Sequence, residues 1–193
     1  MIENQYPITV PDLIETGRRV LWYTPRFKKS VIVMPAVVLV LLVAAKLIQP
    51  ATSIWLLLVL AAAMLYYCFR MTKKVPENMA NQLYQKLKRE APEGEEPVNH
   101  TRMTEGGVLV IGTDDDSDQV HPFSTIQRVF GTENFIVAMN QRNQAILFRR
   151  DGFLQGDEKA LVATFRTHCP GAKFDEKSIA GNTEKAKKSE KSE

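Results

Sequence analysis

Two long apolar segments, separated by a short polar joint, dominate the first half of the chain. Residues 31–48 contain twelve Val, Ile or Leu and one charged residue, Lys46, whereas residues 54–69 contain no charge. A membrane crossing needs about 20 helical residues, and the twelve apolar residues favour insertion of 31–48 by about 5 kcal/mol. The pattern therefore predicts a two-helix transmembrane hairpin over 31–69, with its turn at Gln49–Ser53. A buried hairpin in a soluble core is the alternative, and it is disfavoured because neither segment has a polar face.

Basic residues flank the outer ends of these two segments and set the expected orientation. The connecting joint has only Lys46 nearby, which can extend its ammonium to the far interface. Lys and Arg concentrate on the cytoplasmic side of membrane helices. We therefore expect a multi-pass protein of the bacterial cytoplasmic (inner) membrane with both termini in the cytoplasm. The predicted contacts with the anionic leaflet are Arg26, Lys28, Lys29, Arg70, Lys73 and Lys74.

The segments on either side of the hairpin have helical signatures. In residues 1–30, Thr9 with Asp12 three positions later and Pro11 between them predict a helix start. We expect an amphipathic helix, either lying near the inner leaflet or packed on the soluble domain. Residues 70–97 predict a basic connecting helix, interrupted or kinked near Pro76, followed by a linker rich in proline and glutamate.

From residue 98 the pattern changes to short strands separated by turn residues. Hairpin turns are expected at Thr104–Gly107, Thr113–Asp118, Thr132–Asn134 and Asn140–Asn143. After them, Asp157 precedes a helix with Leu161, Val162 and Phe165 on one side. The predicted fold is a membrane α-helical hairpin plus an α+β soluble domain over 98–170, an antiparallel β-meander closed by one C-terminal helix. The charged residues 171–193 are expected to be disordered.

The order of these parts resembles the YcxB-like family of bacterial membrane proteins. The resemblance is sharpest in HPFSTIQRVFGTENFIVAMNQRNQAILFRRDGF, where an apolar–aromatic turn, two strands with polar turns and an apolar strand ending in basic residues follow one another. The positions that match are Phe123, Ile126, Phe135–Met139, Ile146–Phe148, Arg149, Arg150 and Phe153. Phe123 and Phe148 stand where the family usually has tryptophan and proline. The resemblance implies a pleckstrin-homology-like half-barrel on a membrane hairpin, and it implies no reaction.

The candidate chemistry in the sequence is sparse. Asp114–Asp118 copies the start of a calcium loop, but the sixth and twelfth positions hold Gln119 and Thr125 instead of the glycine and glutamate of an EF-hand. The loop is expected to be a solvated turn, with opportunistic cation binding left open. The three histidines lack the spacing of metal ligands, and Cys68 and Cys169 are expected to be packing residues on the reducing side. We predict no catalytic residue, no metal and no cofactor.

The distribution of charge along the chain indicates which classes of partner are expected. Residues 98–170 carry seven basic and nine acidic side chains, whereas residues 70–90 carry six basic and two acidic ones. Nucleic-acid binding requires a basic surface on the folded domain and is therefore not expected. The leading hypothesis is a non-enzymatic protein whose membrane anchor presents a small domain to an unidentified protein partner. The alternative is a sensor of membrane charge or lipid that uses the basic juxtamembrane segment. The sequence leaves the oligomeric state open.

Overall fold

The computed structural model describes residues 1–48, 54–92, 94–112 and 118–180. It shows an α+β protein in which helices are followed by mainly antiparallel sheets and a C-terminal helical segment. The helices are α1 (Val10–Tyr23), α2 (Pro25–Lys28), α3 (Met34–Ile48), α4 (Ile54–Phe69), α5 (Val75–Glu90), α6 (Glu158–His168) and α7 (Glu176–Ala180). The strands are β1 (Glu3–Pro7), β2 (Val98–Met103), β3 (Gly107–Ile111), β4 (Gln119–Pro122), β5 (Ile126–Gly131), β6 (Phe135–Asn140), β7 (Ala145–Arg149), β8 (Phe153–Gln155) and β9 (Lys173–Asp175).

The chain divides into two compact units. Residues 17–82 form the first, here called the helical unit. Residues 1–16 together with those from 83 onwards form the second, here called the β-unit. The N-terminal residues therefore belong to the same unit as the strands, whereas the sequence analysis placed the soluble domain at 98–170.

The β-unit contains two sheets. One has the strand order β4-β3-β2-β1-β8 and the other β7-β6-β5-β9. Among the described strands, β5 and β9 form a parallel pair and the other pairs are antiparallel. The predicted turns at Thr104–Gly107, Thr132–Asn134 and Asn140–Asn143 each connect consecutive antiparallel strands. Asn143 has a φ of 60°, a backbone conformation that asparagine tolerates better than most residues. The predicted turn at Thr113–Asp118 lies largely outside the described residues.

The helix expected within residues 1–30 begins at Val10, and residues 3–7 before it form β1, a strand between β2 and β8 that the sequence analysis did not predict. The side chains of β1 alternate between inward and outward positions, but one inward position is taken by the polar Asn4. Asn4 is fully buried; its Nδ2 donates to the Arg149 carbonyl over 2.7 Å and its Oδ1 accepts from the Arg149 amide over 3.0 Å. This side chain joins β1 to β7 across the two sheets, and a polar residue at a buried position hides the strand from a hydrophobic-pattern search.

Helix α1 begins as its sequence predicts. The Asp12 Oδ2 accepts from the Thr9 amide over 3.2 Å and from the Thr9 hydroxyl over 2.7 Å, which supplies partners for the free groups of the first turn. Asp12 and Thr16 are buried, and Arg149 Nη1 lies 3.7 Å from Asp12 Oδ2. The first two turns of α1 are therefore packed on the β-unit, which is the second of the two placements considered for this helix.

The core of the β-unit is aromatic. Phe148 from β7 and Phe165 from α6 are fully buried, with ring centroids 5.9 Å apart in an edge-to-face arrangement. Phe123 contacts the same Phe165 ring at 6.3 Å. Asp157 caps α6 by accepting from the Ala160 amide over 2.7 Å. Helix α6 is thus held with its apolar side against the sheet, as the spacing of Leu161, Val162 and Phe165 predicts.

The expected disorder of residues 171–193 is incorrect for residues 173–180, which form β9 and α7. The Gly131 amide donates to the Ser178 hydroxyl over 2.9 Å, and Ile179 is buried. Arg150 forms an ion pair with Glu158, and its Nη2 donates to the Ile179 carbonyl over 3.4 Å. Burial of a single isoleucine in an otherwise charged segment gives little signal in the sequence. Residues 181–193 lie outside the described part of the chain.

Within the described residues, one helix has both the length and the apolar composition to cross a membrane. It runs over Pro25–Ile48 and includes α2, a π-helical turn at Lys29–Val33 and α3. Helix α4 has sixteen residues and continues through a second π-helical turn, Arg70–Lys74, into α5. The one candidate span agrees with the first half of the predicted hairpin, and the second span remains a prediction.

Candidate functional site

Helix α3 exposes apolar side chains over most of its circumference. Leu39, Val40 and Leu41 are 62%, 65% and 61% exposed, and three consecutive helical residues point in directions about 100° apart. Of the 18 most apolar consecutive residues within Pro25–Ile48, only 6% are buried. A core helix of a water-soluble protein is mostly buried, whereas an exposed apolar surface of this size is typical of a helix that is covered by lipid or by another protein.

Helix α4 has the same character. Leu58, Val59 and Leu65 are exposed, and no charged residue interrupts the helix. Trp55 lies near its beginning, and Tyr66 and Tyr67 lie near its end, all exposed. Aromatic residues at both ends of an apolar helix are typical of membrane–water interfaces.

Two contacts fix the register between the helices at one end. The Ser30 and Tyr67 hydroxyl oxygens are 2.8 Å apart and share a hydrogen bond. A second contact lies at the same level, where Cys68 Sγ is 4.0 Å from the Val31 carbonyl oxygen. The start of the first helix therefore lies beside the end of the second, as in an antiparallel pair.

This pairing brings the six predicted membrane-charge residues to one end of the helix pair. All six are exposed, three on the chain entering the first apolar helix and three on the chain leaving the second. We call this set the basic collar: Arg26, Lys28, Lys29, Arg70, Lys73 and Lys74. The collar groups residues that are more than forty positions apart in the sequence.

The positive charge of the collar has almost no acidic side chains to neutralise it. Residues 17–82 contain nine Lys or Arg and a single acid, Glu77. Glu77 is already shared, since Lys74 Nζ lies 3.3 Å from one of its oxygens and Arg18 Nη2 lies 3.5 Å from the other. The Lys73 ammonium lies 5.0 Å from the centroid of the Phe69 ring. Within the part of the chain that the structure describes, Arg26, Lys29 and Arg70 make no ion pair.

Each helix has a π-helical turn at the collar. One starts at Lys29 and the other at Arg70, so both coincide with the transition from apolar to basic sequence. π-Helical turns are rare and frequently occur at functional sites. The sequence analysis expected a kink near Pro76, and the irregular turn ends just before that proline, which occupies the first turn of α5.

The remaining candidate groups have structural partners in the β-unit. His100 Nε2 lies 2.6 Å from Glu3 Oε1, and hydrogen bonds from Arg102 and then His100 hold the pKa of Glu3 below its usual range. His121 Nδ1 lies 3.4 Å from Asn140 Nδ2, and burial lowers the pKa of this histidine. The His168 ring stacks on Phe123 with centroids 4.9 Å apart. These contacts hold the three histidines apart rather than bringing them to one centre.

The two cysteines lie in different surroundings. Cys169 is buried in the β-unit, and burial raises the pKa of its thiol to about 11. A thiol that is protonated at neutral pH is a poor nucleophile. Cys68 belongs to the helix contact described above. Among the described residues no three His, Cys, Asp or Glu side chains form a group suited to a metal ion. Asp114, Asp115 and Asp116 lie outside the described residues.

Comparison of the chain with protein-family models, with curated proteins and with solved structures finds no match. The resemblance to the YcxB-like family therefore rests on the sequence pattern alone.

The sequence identified the members of the collar but not the contact that organises it. Ser30 is an ordinary polar residue between Lys29 and an apolar run, and Tyr67 by itself is one of two neighbouring tyrosines near the end of an apolar segment. Their hydrogen bond depends on the packing register of two helices. The signal available in the sequence is that a hydroxyl-bearing residue occurs at the same end of each predicted span, Ser30 directly before the first and Tyr67 within the second.

Proposed function

We propose that this protein is a non-enzymatic anchor of the bacterial inner membrane, in which α3 and α4 cross the bilayer and tether a small interaction domain in the cytoplasm. The observation that carries the proposal is the exposure of large apolar side chains over most of the circumference of α3. Burying such a surface in lipid removes apolar area from water, at roughly 25 cal/mol per Å². The antiparallel pairing of α3 with α4 supports a second crossing.

The collar supports the orientation of this proposal. Six exposed cations at one end of the helix pair match the excess of Lys and Arg on the cytoplasmic side of membrane proteins. Lys46 is the only basic residue near the other end. The chain on either side of the hairpin, which contains the whole β-unit, then lies in the cytoplasm.

The β-unit is the proposed interaction module. Its sheets covered by α6 are compatible with the pleckstrin-homology-like half-barrel that the YcxB-like resemblance implies. Strand β4 lies at the edge of its sheet, and an edge strand can accept an extended segment of another protein. The partner we propose for the domain is a protein rather than a nucleic acid, because the domain lacks a basic surface excess.

A second candidate function is a sensor of membrane charge. The collar favours it, because each basic residue near an anionic leaflet contributes about 1 kcal/mol of attraction. This function uses the same anchor and adds a response of the β-unit to leaflet composition.

Alkaline extraction of membranes tests the anchor. Cells expressing the full-length protein are lysed, and the membranes are washed with sodium carbonate and then with high salt. We expect the protein to remain in the pellet and to be released only by detergent, because apolar burial is insensitive to both washes. As a control, a known peripheral membrane protein is carried through the same washes, and its release shows that the washes remove peripheral proteins. Release of this protein together with that control would contradict membrane insertion.

A further inference from the structure

Two arginines of the collar, Arg26 and Arg70, are each about one turn from the Ser30–Tyr67 hydroxyl pair, and the described residues give neither of them an acidic partner. Arg26 precedes Ser30 by four residues, and Arg70 follows Tyr67 by three. Residues three or four apart share a helix face, and the two helices are antiparallel at the Ser30–Tyr67 hydrogen bond. Both steps lead towards the same end of the helix pair, so the two arginines lie at a similar level, about one turn beyond the hydroxyl pair.

The charges near this pair cannot be balanced from within the helical unit. Its only acid, Glu77, is held by Lys74 and Arg18. Two adjacent guanidinium groups repel each other, and the repulsion increases where apolar surface reduces the effective dielectric constant. An anion from outside the helical unit is needed to relieve that repulsion.

Phosphate is the anion that fits these groups best. A guanidinium presents parallel N–H donors that match two phosphate oxygens, and such charge-assisted pairs are about twice as strong as neutral hydrogen bonds. Of the Ser30 and Tyr67 hydroxyls, one donates to the other, and the remaining O–H can donate to the phosphate from the apolar side. The site lies at the boundary between the apolar helices and the collar, which is the depth of lipid headgroups in a bilayer.

We propose that Arg26 and Arg70, together with the Ser30 and Tyr67 hydroxyls, bind the phosphate group of an anionic lipid in the inner leaflet. This inference rests on the proposed membrane anchor and names the ligand class of its collar. It differs from diffuse attraction to a charged surface, because it assigns the binding to two arginines rather than to all six cations. The ligand also holds the two helix ends together, since it bridges one residue from each.

Native mass spectrometry of the full-length protein in a non-ionic detergent tests the site. The protein is titrated with phosphatidylglycerol, and the R26Q/R70Q variant is compared with wild type. We expect the variant to bind at least about tenfold more weakly, since two charge-assisted contacts are lost. The R26K/R70K variant keeps both charges without the bidentate geometry and is expected to fall between the two. Binding of the lysine variant that equals wild type would overturn the assignment to guanidinium groups.

The matched control removes the same charge elsewhere. Lys88 and Arg89 are exposed at the C-terminal end of α5, so K88Q/R89Q also removes two cations. We expect its affinity to stay within about twofold of wild type, because distant exposed charges are screened. Equal weakening in both double variants would show a diffuse charge effect and overturn the site.

A competition arm separates lipid from free phosphate. Millimolar inorganic phosphate is expected to leave the bound lipid in place. Displacement of the lipid by phosphate, with the same dependence on the arginines, would assign the site to free phosphate and overturn the lipid assignment. Alkaline extraction of the same variants keeps the two proposals distinguishable: R26Q/R70Q is expected to remain in the membrane pellet, whereas failure of the anchor proposal would release the wild-type protein.

Discussion

Four aspartates placed in α3 and α4 are expected to abolish membrane insertion. On the insertion scale, replacing an apolar residue at the centre of a span by aspartate costs about 3–4 kcal/mol. Two replacements in one helix exceed the roughly 5 kcal/mol that favours insertion of residues 31–48. The replacements are Leu39→Asp and Val43→Asp in α3, and Val59→Asp and Ala63→Asp in α4, all at exposed positions. The measurement is the fraction of protein that resists alkaline extraction, which we expect to fall from nearly all to nearly none.

The control carries the same number of aspartates at exposed apolar positions outside the two spans. Its changes are Met79→Asp, Leu83→Asp, Val120→Asp and Leu154→Asp. We expect this variant to remain in the membrane pellet, because these side chains already face water in the proposed topology. If the four-aspartate variant of α3 and α4 resisted extraction as well as the control, lipid would not be the environment of the two helices.

Replacing Phe148 with alanine is expected to destabilise the β-unit by about 3–5 kcal/mol, the usual cost of deleting a buried aromatic ring. Phe148 is fully buried on β7 and contacts the Phe165 ring of α6. Its loss leaves a cavity between the sheet and the helix that covers it. Total domain stability is typically about 5–15 kcal/mol, so this one change removes a large share of it.

Hydrogen exchange of the intact protein, followed by mass spectrometry, measures this effect without separating the units. Amides of β5, β6 and β7 report the unfolding free energy of the β-unit, and their exchange is expected to accelerate by a factor of at least about a hundred. Leu154 is 61% exposed, and Leu154→Ala is expected to change the free energy by less than about 0.5 kcal/mol. Similar acceleration in both variants would show that Phe148 is not part of a cooperative core.

The strands that the sequence predicted are those that pair with the next strand along the chain. The turns at Thr104–Gly107 and Asn140–Asn143 join strands that pair directly, so pattern and turn chemistry suffice to find them. Strand β1 pairs with β2, more than ninety residues later, and its buried Asn4 interrupts the apolar alternation. Strand β9 lies parallel to β5 and is only three residues long. Short strands with distant partners carry almost no local signal.

The site was predictable in composition and not in geometry. Runs of Lys and Arg beside apolar segments identify the collar from the sequence alone, because this prediction depends only on the number of basic residues near each segment. The pairing of Arg26 with Arg70 requires the register between two helices, which follows from the Ser30–Tyr67 and Val31–Cys68 contacts. Helix register is set by side-chain packing, and a single sequence does not show it.

The labelling of single cysteines by an impermeant thiol reagent tests the central claim most directly. Cys68 and Cys169 are first replaced by alanine, and cysteine is then introduced either in the predicted turn, as Thr52→Cys, or on the β-unit, as Gln155→Cys. The two-span topology predicts that Thr52→Cys reacts in intact cells, whereas Gln155→Cys reacts only after lysis. Reaction of both in intact cells would mean that α4 does not cross the membrane. Protection of Thr52→Cys together with labelling of Gln155→Cys would invert the topology and place the β-unit outside the cell.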